Sequence, residues 1–346
     1  MAARKTLGRF IAKNGSCLEY GLIGINTGDE MCKSFRIPVD GRGYPDGIQT
    51  GQIPDRIRWQ KERKVERLEA HRAFFASLIT AQAGVPNGRL SAAFAATPRE
   101  RFLGPGPWKI FTSGGYITTP TNDPAFLYQD VTVALSEASK INNGQPVLHA
   151  VGLSTLNPQE GETAIHIGAG TGYYTAVLAR LTAPGGKVFA YEIEPALADL
   201  ATANLSDLEH VTVYSRSGAE GPLPACNLIY VNAGATAPLD IWLDALLPGG
   251  RLLFPLTPDG PGGTPGAGGM LLITRMPPDR YSARFLMPVM FINCQGARDD
   301  ATAKKLSEAF KRGDLRSVRS LRRNTQPDET CWCSGNGWWL STAESG

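Results

Sequence analysis

No stretch of this 346-residue chain runs for 18 or more apolar residues, so none has the length of a membrane-spanning helix. The opening residues, MAARKTLGRFIAKNGS, lack the apolar core of a secretory signal. They are basic and free of acid until Glu19, as in a transit peptide, though the sample is short. Charge of one sign is scarce as well: 35 Lys and Arg nearly balance 32 Asp and Glu, and a net charge of +3 does not point to nucleic acid. There is no C-x-x-C pair. Cys17, Cys32, Cys226, Cys294, Cys331 and Cys333 are scattered, and Cys331-Trp-Cys333 is C-x-C, which argues against a zinc site. Free thiols in a reducing cytosol, no metal and a cytoplasmic protein are the expectation. No internal repeat is present. What remains, 42% hydrophobic and 19% charged residues, suffices for a large buried core.

Residues 1–55, rich in glycine and polar residues without a sustained period, read as a weakly ordered extension. From Arg56 to Gln82 the pattern turns helical, with Val65, Leu68, Phe75, Leu78 and Ile79 near one face. Gly84 and Pro86 end that helix, and a second is expected over Leu90–Ala96. Residues 104–124 hold many Gly, Pro and Thr and read as an irregular loop. Beyond this helical cap region (56–140) a core (141–293) begins near Pro146, which suits the first position of a helix. Strands are expected at 163–167, 187–192, 210–215, 226–231 and 250–256, with helices at 172–182, 195–205 and 238–246. Such alternation predicts an α/β fold with a doubly wound, mostly parallel sheet. After a flexible Pro258–Gly269 loop, Met270–Thr274 and Phe285–Ile292 read as strands completing it. Residues 294–346 open with a helix at 300–312 and form a C-terminal tail. Its eight Lys and Arg between 304 and 323 read as a solvated face, and Trp338 and Trp339 as anchors of the tail on the core.

Residues 163–192 carry the chemistry. They read as strand, glycine-rich turn, helix and second strand, closed by a carboxylate. Gly168, Gly170 and Gly172, with Ala169 between them, let the backbone turn tightly and approach a ligand that any β-carbon would push away. Glu192, about 20 residues on, stands where a carboxylate can accept both ribose hydroxyl protons. A dinucleotide fingerprint would need a third glycine at 173, where Tyr173 stands, and this disfavours a nicotinamide oxidoreductase. The G-x-G-x-G pattern is similar to the S-adenosylmethionine turn of class I methyltransferases, with their Rossmann-like fold.

Four further segments resemble the protein-L-isoaspartate O-methyltransferase family over roughly residues 90–293. Thr97-Pro98-Arg99-Glu100-Arg101-Phe102 is similar to its V-P-R-x-x-F signature, and Tyr128-Gln129-Asp130 to its Y-x-D segment. Gln145-Pro146 matches the dipeptide that opens the helix before the first core strand, 21 residues ahead of His166. Leu246-Leu247-Pro248-Gly249-Gly250-Arg251-Leu252 is similar to the L-K-P-G-G-R-L turn into strand five. The resemblance implies S-adenosylmethionine as cofactor, a protein or peptide carboxylate as acceptor, and no membrane partner. It places His166, Gly168, Ala169, Gly170, Gly172, Glu192, Ser217 and Gly218 at the cofactor. Asn142, Asn143, Gly144, Gln145 and Pro146 would border the acceptor pocket.

The chain departs from that pattern at three positions. His166 stands where the family carries Glu or Asp, Ser217 replaces the acid that accepts from the adenine amino group, and Gly144 replaces the substrate-side serine. A packed core histidine and a cofactor contact are both open for His166. Methyl transfer to a carboxylate needs no strong base, because the nucleophile is already ionised at neutral pH and orientation supplies most of the rate. The lack of a catalytic triad is therefore compatible with it. The competing reading is a degenerate methyltransferase fold kept as a binding module. Nitrogen methylation of RNA ranks low, since Val231-Asn232-Ala233-Gly234-Ala235 holds no [ND]-P-P-[YF] motif.

Overall fold

The computed structural model describes residues 55–345 apart from 86–87 and 137–139. The extension expected over residues 1–55 lies, up to residue 54, outside the described residues. Helix α1 (Asp55–Gln82) and α2 (Gly88–Ala95) are followed by a hairpin, β1 (Lys109–Thr112) and β2 (Gly115–Thr118), and by the short strands β3 (Ala134–Ser136) and β4 (Ile141–Asn142). Then come α3 (Pro146–Leu156), β5 (Thr163–Ile167), α4 (Tyr173–Thr182), β6 (Lys187–Glu192), α5 (Pro195–Asn204) and β7 (Val211–Ser215). The core continues with β8 (Cys226–Val231), α6 (Asp240–Ala245), β9 (Leu246–Leu256), β10 (Gly268–Met276) and β11 (Arg280–Val289). The tail adds α7 (Asp300–Arg312), β12 (Ser320–Arg323), β13 (Cys331–Ser334) and β14 (Trp338–Ser341).

Ten strands form one sheet in the order β13-β14-β12-β11-β10-β9-β8-β5-β6-β7. The ladders from β7 through β6, β5 and β8 to β9 are parallel. Every ladder beyond β9 is antiparallel. The expected parallel sheet is thus the half that carries the glycine turn, and antiparallel strands extend it. Residues alternate between its two faces, as strand geometry requires. Ile165, Ile229, Leu252 and Leu271 pack beneath Trp242 and Leu306. Ala164, Leu228, Leu253 and Met270 pack with Phe75, Phe94 and Leu153 on the other face. Helices therefore cover both sides of the central strands, which explains why β5 and β8 are almost wholly buried.

Three expectations change. The 104–124 segment is not irregular throughout, because β1 and β2 pair in register from Lys109–Thr118 to Thr112–Gly115. Val65 is exposed and Leu78 only half-buried, since the core covers the second half of α1, at Phe75, Ala76 and Ile79. The tail contributes strands as well as a helix: β12 pairs with β11, and Trp332 meets Phe285 and Phe310 edge-on at 5.2 and 5.4 Å. Trp338 and Trp339 are buried there. On α7, Lys304, Lys305 and Lys311 face solvent opposite buried Ala303, Leu306 and Ala309.

Candidate functional site

Strand β5 has β6 on one side and β8 on the other, so successive connections leave it in opposite directions. The carboxyl ends of strands at such a switch point are where open α/β sheets bind ligands. Three chain segments meet there: the glycine turn after β5, Glu192 at the end of β6, and Asn232 just past β8.

The turn depends on its glycines. Gly168, Gly170 and Gly172 all have positive φ, at +76°, +57° and +96°, where a β-carbon is strained. Gly172 is also packed in, since a β-carbon there would come within 2.8 Å of Leu205 Cδ1. The N–H groups of Gly168 and Ala169 donate to Tyr191 O, at 2.9 and 3.1 Å, tying the turn to β6. Beyond Gly172 the first N–H groups of α4 lack intrahelical acceptors, and the helix dipole adds partial positive charge. That end favours an anionic group.

Glu192 is only 6% exposed. Gly170 N–H donates to its Oε2 at 2.7 Å and Glu194 N–H to its Oε1 at 3.0 Å. Each oxygen keeps lone-pair capacity for a second donor. Burial pushes the carboxyl pKa above its ordinary value, while the N–H groups of Glu194 and Gly170 pull against that shift. Ile193, which sequence reasoning did not single out, follows with its aliphatic side chain 40% exposed, offering an apolar face beside the acid.

Ser217 and Gly218 lie past β7. Ser217 Oγ accepts from Ala219 N–H at 3.1 Å and donates to Gln295 O at 3.4 Å. Gly218 is a packing necessity, since a β-carbon would sit 2.7 Å from Ile167 Cγ1 at the end of β5. Its carbonyl accepts from Trp242 Nε1 at 2.8 Å.

His166 is fully buried. Its Nδ1 lies 2.7 Å from Thr175 Oγ1 and its Nε2 2.7 Å from Asn232 Nδ2, so both ring nitrogens are engaged by protein groups. Of the two readings open in the sequence, this geometry fits the packed core histidine. Burial lowers its pKa to about 3, and the ring is neutral at pH 7. Asn232 was not anticipated as a site residue. It stands against Gly168, one end of its amide holds His166, and its Oδ1 is buried without a partner.

The acceptor-side residues form a turn held from both ends. Asn143 N–H donates to Val133 O, and Val133 N–H donates to Asn143 Oδ1. Gly144 N–H donates to Asn142 Oδ1. Asp130 accepts from Gln145 Nε2 and from Val147 N–H, at 2.7 and 2.8 Å, so it ties the Gln145 amide down and satisfies an open N–H at the start of α3. Pro146 is buried at the first turn of that helix. Arg99, wholly buried, donates to the carbonyls of Leu127, Gln129 and Val131, and this shapes the approach to the turn. The 130s segment reaches the glycine turn, where Leu135 Cδ1 would stand 3.2 Å from a β-carbon on Gly170. Among the described residues no group of three or more His, Cys, Asp or Glu could hold a metal, and Cys226, Cys294, Cys331 and Cys333 are free thiols.

Known proteins resemble the chain over this core. The family model of protein-L-isoaspartate(D-aspartate) O-methyltransferase matches residues 80–294, more than half of the chain. Among its relatives, the protein-L-isoaspartate O-methyltransferase of Aeropyrum pernix is 29% identical over 241 residues, covering 68% of this chain and 83% of that one. The enzyme of the same name from Methylorubrum populi is 33% identical over 177 residues, 50% of this chain and 78% of its own. A solved protein-L-isoaspartate O-methyltransferase superposes with a TM-score of 0.54 at 20% identity, over 75% of this chain and 74% of its own. A Plasmodium falciparum structure, named as a candidate member and solved with S-adenosyl-L-homocysteine, gives 0.50 at 16% identity over 65% and 98%. At these identities the two structures establish the fold.

Proposed function

The chain belongs to the protein-L-isoaspartate(D-aspartate) O-methyltransferase family, and from that premise we propose that it transfers a methyl group from S-adenosylmethionine to a carboxylate of a protein or peptide, in the cytoplasm. The observation that carries the reading is the pairing of Glu192 with the glycine turn. A buried carboxylate with spare lone pairs stands 2.7 Å from a turn N–H at the sheet's open end, a fit for the hydroxyls of an adenosyl ribose. No metal-ligand cluster is needed, because the nucleophile is ionised at pH 7 and the departing sulfonium carries its own activation. What the protein must do is hold a carboxylate oxygen in line with the S–CH3 bond and keep water out.

Gly168, Ala169, Gly170 and Gly172 would receive the cofactor on backbone groups, Glu192 the ribose, and Ser217 with Gly218 the adenine edge. The turn from Asn142 to Pro146 would border the acceptor. His166 would act at one remove, through Asn232. The test is isothermal titration with S-adenosylhomocysteine followed by labelled-methyl transfer to an isoaspartyl peptide. Binding, with label released by alkali as from a methyl ester, is expected. No heat at millimolar cofactor would refute the reading. One observation favours a second reading, a binding module that has lost catalysis: the Ser217 hydroxyl is engaged by Ala219 and Gln295 and offers adenine no carboxylate. Binding without transfer to any carboxylate would select it.

A further inference from the structure

Strands β11 and β12 meet at an edge of the sheet that the glycine turn does not share. β11 is antiparallel to β10, β10 is antiparallel to β9, and β9 is parallel to β8, so β11 runs in the direction of β8 and β5. Arg280, at the start of β11, therefore lies at the edge opposite the carboxyl end of β5. A cavity of about 310 Å³ opens there, lined by the start of β11, the end of β12, the residues that follow β12, and Ser345. Residues 320–345 lie beyond those that the family model matches.

The charges on its wall are unevenly spent. Arg323 is closed off, donating to Asp240, Asp244 and the Tyr281 hydroxyl at 2.7, 2.8 and 3.3 Å. Asp279 pairs with Arg275 at 3.1 Å. Arg280 and Arg322 differ. Among the described residues neither forms an ion pair; Arg280 gives one bond, to Pro277 O, and Arg322 one, to Glu344 O. The nearby Asp328 carboxylate is taken up by the N–H and hydroxyl of Thr330, at 2.8 and 2.6 Å. The ladder pairs Ser282 with Ser320 and Tyr281 with Leu321, so Arg280 and Arg322 come next, opposite each other on the two strands. Like charges in that relation repel unless an anion lies between them. Two further donors line the cavity. The Asn324 side-chain amide makes no bond among the described residues. The Thr325 hydroxyl accepts from Trp339 Nε1 at 3.1 Å and keeps its own proton to give.

We propose that this cavity binds a small phosphate, inorganic or organic, its phosphoryl oxygens held between the guanidinium groups of Arg280 and Arg322 with Asn324 and Thr325 as further donors. The site is separate from the cofactor edge and does not depend on the carboxyl methylation proposed above. The donor set decides the ligand class. Guanidinium forks match phosphate oxygens two at a time and stay charged at any working pH. Donors on four residues, reaching in from two strands and the loop after them, suit the three terminal oxygens of a phosphoryl group. A carboxylate offers two oxygens in one plane. The volume limits the rest of the ligand. It stands at the lower end of the range for small-molecule sites, about 300–1,000 Å³, so a metabolite-sized phosphate fits and a macromolecule does not.

The experiment titrates the full chain with glycerol 3-phosphate, orthophosphate and succinate by calorimetry at fixed ionic strength. Saturable one-to-one binding of glycerol 3-phosphate is expected, with succinate at least about tenfold weaker. Orthophosphate that binds as tightly assigns the site to free phosphate, and weaker orthophosphate assigns it to an organic one; either result bears out the phosphoryl site. Arg280→Gln and Arg322→Gln should each weaken phosphate binding at least about tenfold, with S-adenosylhomocysteine affinity unchanged. No saturable phosphate binding at millimolar concentration, equal affinity for succinate, or affinity untouched in both variants would each overturn the proposal. Trp339 gives a reading that needs no arginine variant. Its indole N–H resonance, identified by its shift in Thr325→Val, is expected to move when phosphate is added to the wild type. Should the arginine variants not fold, a resonance that phosphate leaves in place overturns the proposal equally.

Discussion

The sheet has two halves that do opposite work. In the parallel half, β5, β6 and β8 end together at one edge where glycines hold positive φ, a carboxylate is buried, and the Asn143, His149 and Asn232 side chains each leave one polar atom unpartnered. In the antiparallel half, from β10 to β14, the strand residues pair across the ladders and an aromatic cluster of Trp332, Phe285 and Phe310 seals one face. The first half gathers its unpartnered groups at one edge, whereas the second is dominated by ladder pairing and aromatic packing, with an unpartnered Nε on each of Arg322 and Arg323 of β12. Parallel strands end side by side at one edge of the sheet, whereas antiparallel neighbours exchange their ends through local turns. The cofactor chemistry therefore collects in one half and packing in the other.

The largest effect expected from this contrast comes from the packed half. Trp332→Ala removes the hub of the aromatic cluster and should cost about 3–5 kcal/mol of stability, read from denaturant unfolding, with cofactor affinity in the still-folded protein unchanged. An equal loss of affinity would break the division. Acidification probes the parallel half next. His166 is held neutral with a pKa of about 3 against an ordinary 6.5. Its contribution to stability is complete above pH 6.5 and falls as pH drops toward 3, by up to about 1.4 kcal/mol for each unit crossed. His166→Gln should flatten that slope in unfolding curves taken between pH 7 and 4; an unchanged slope would assign acid sensitivity elsewhere.

Glu192→Gln is the next smaller effect. It keeps the side-chain shape and loses the charge, so cofactor affinity should fall by ~1.5–3 kcal/mol, one to two decades by titration. The melting temperature should move little. Because burial raises the Glu192 pKa, affinity of the parent protein should also decline as pH falls through that raised value, and the Gln variant should lack this dependence. Ser217→Asp gives the smallest change: an acid toward the adenine edge should tighten binding by about 1 kcal/mol, offset in part by the lost bond to Gln295 O. A matching His166→Glu change is expected to fail, since it would bury a charge between Thr175 and Asn232.

Much of the parallel half was legible in the chain. The periods of β5, β6 and β8 and the start of α3 at Pro146 fall where local pattern puts them, as does the glycine turn, because these depend on backbone conformation and on strands buried from both sides. The β1–β2 hairpin was not legible. Its turn at Ser113-Gly114 is ordinary in a Gly- and Thr-rich stretch, and its pairing shows in no period. Nor were the strands of the tail, whose four-residue runs at Ser320–Arg323 and Cys331–Ser334 are too short to carry a pattern. Their pairing with β11 and with one another makes them strands.

The amino-acid sequence by itself determined where the backbone must bend and which runs must be buried, since glycine, proline and alternating apolar residues act within a few positions of themselves. Only the tertiary structure decided what each polar side chain faces. It closed His166 between Thr175 and Asn232, brought Glu192 back onto Gly170, and set His149 beneath Gly144. A side chain's partner is chosen by segments far along the chain, and a hydrogen bond exists only where the fold brings two such segments within about 3 Å.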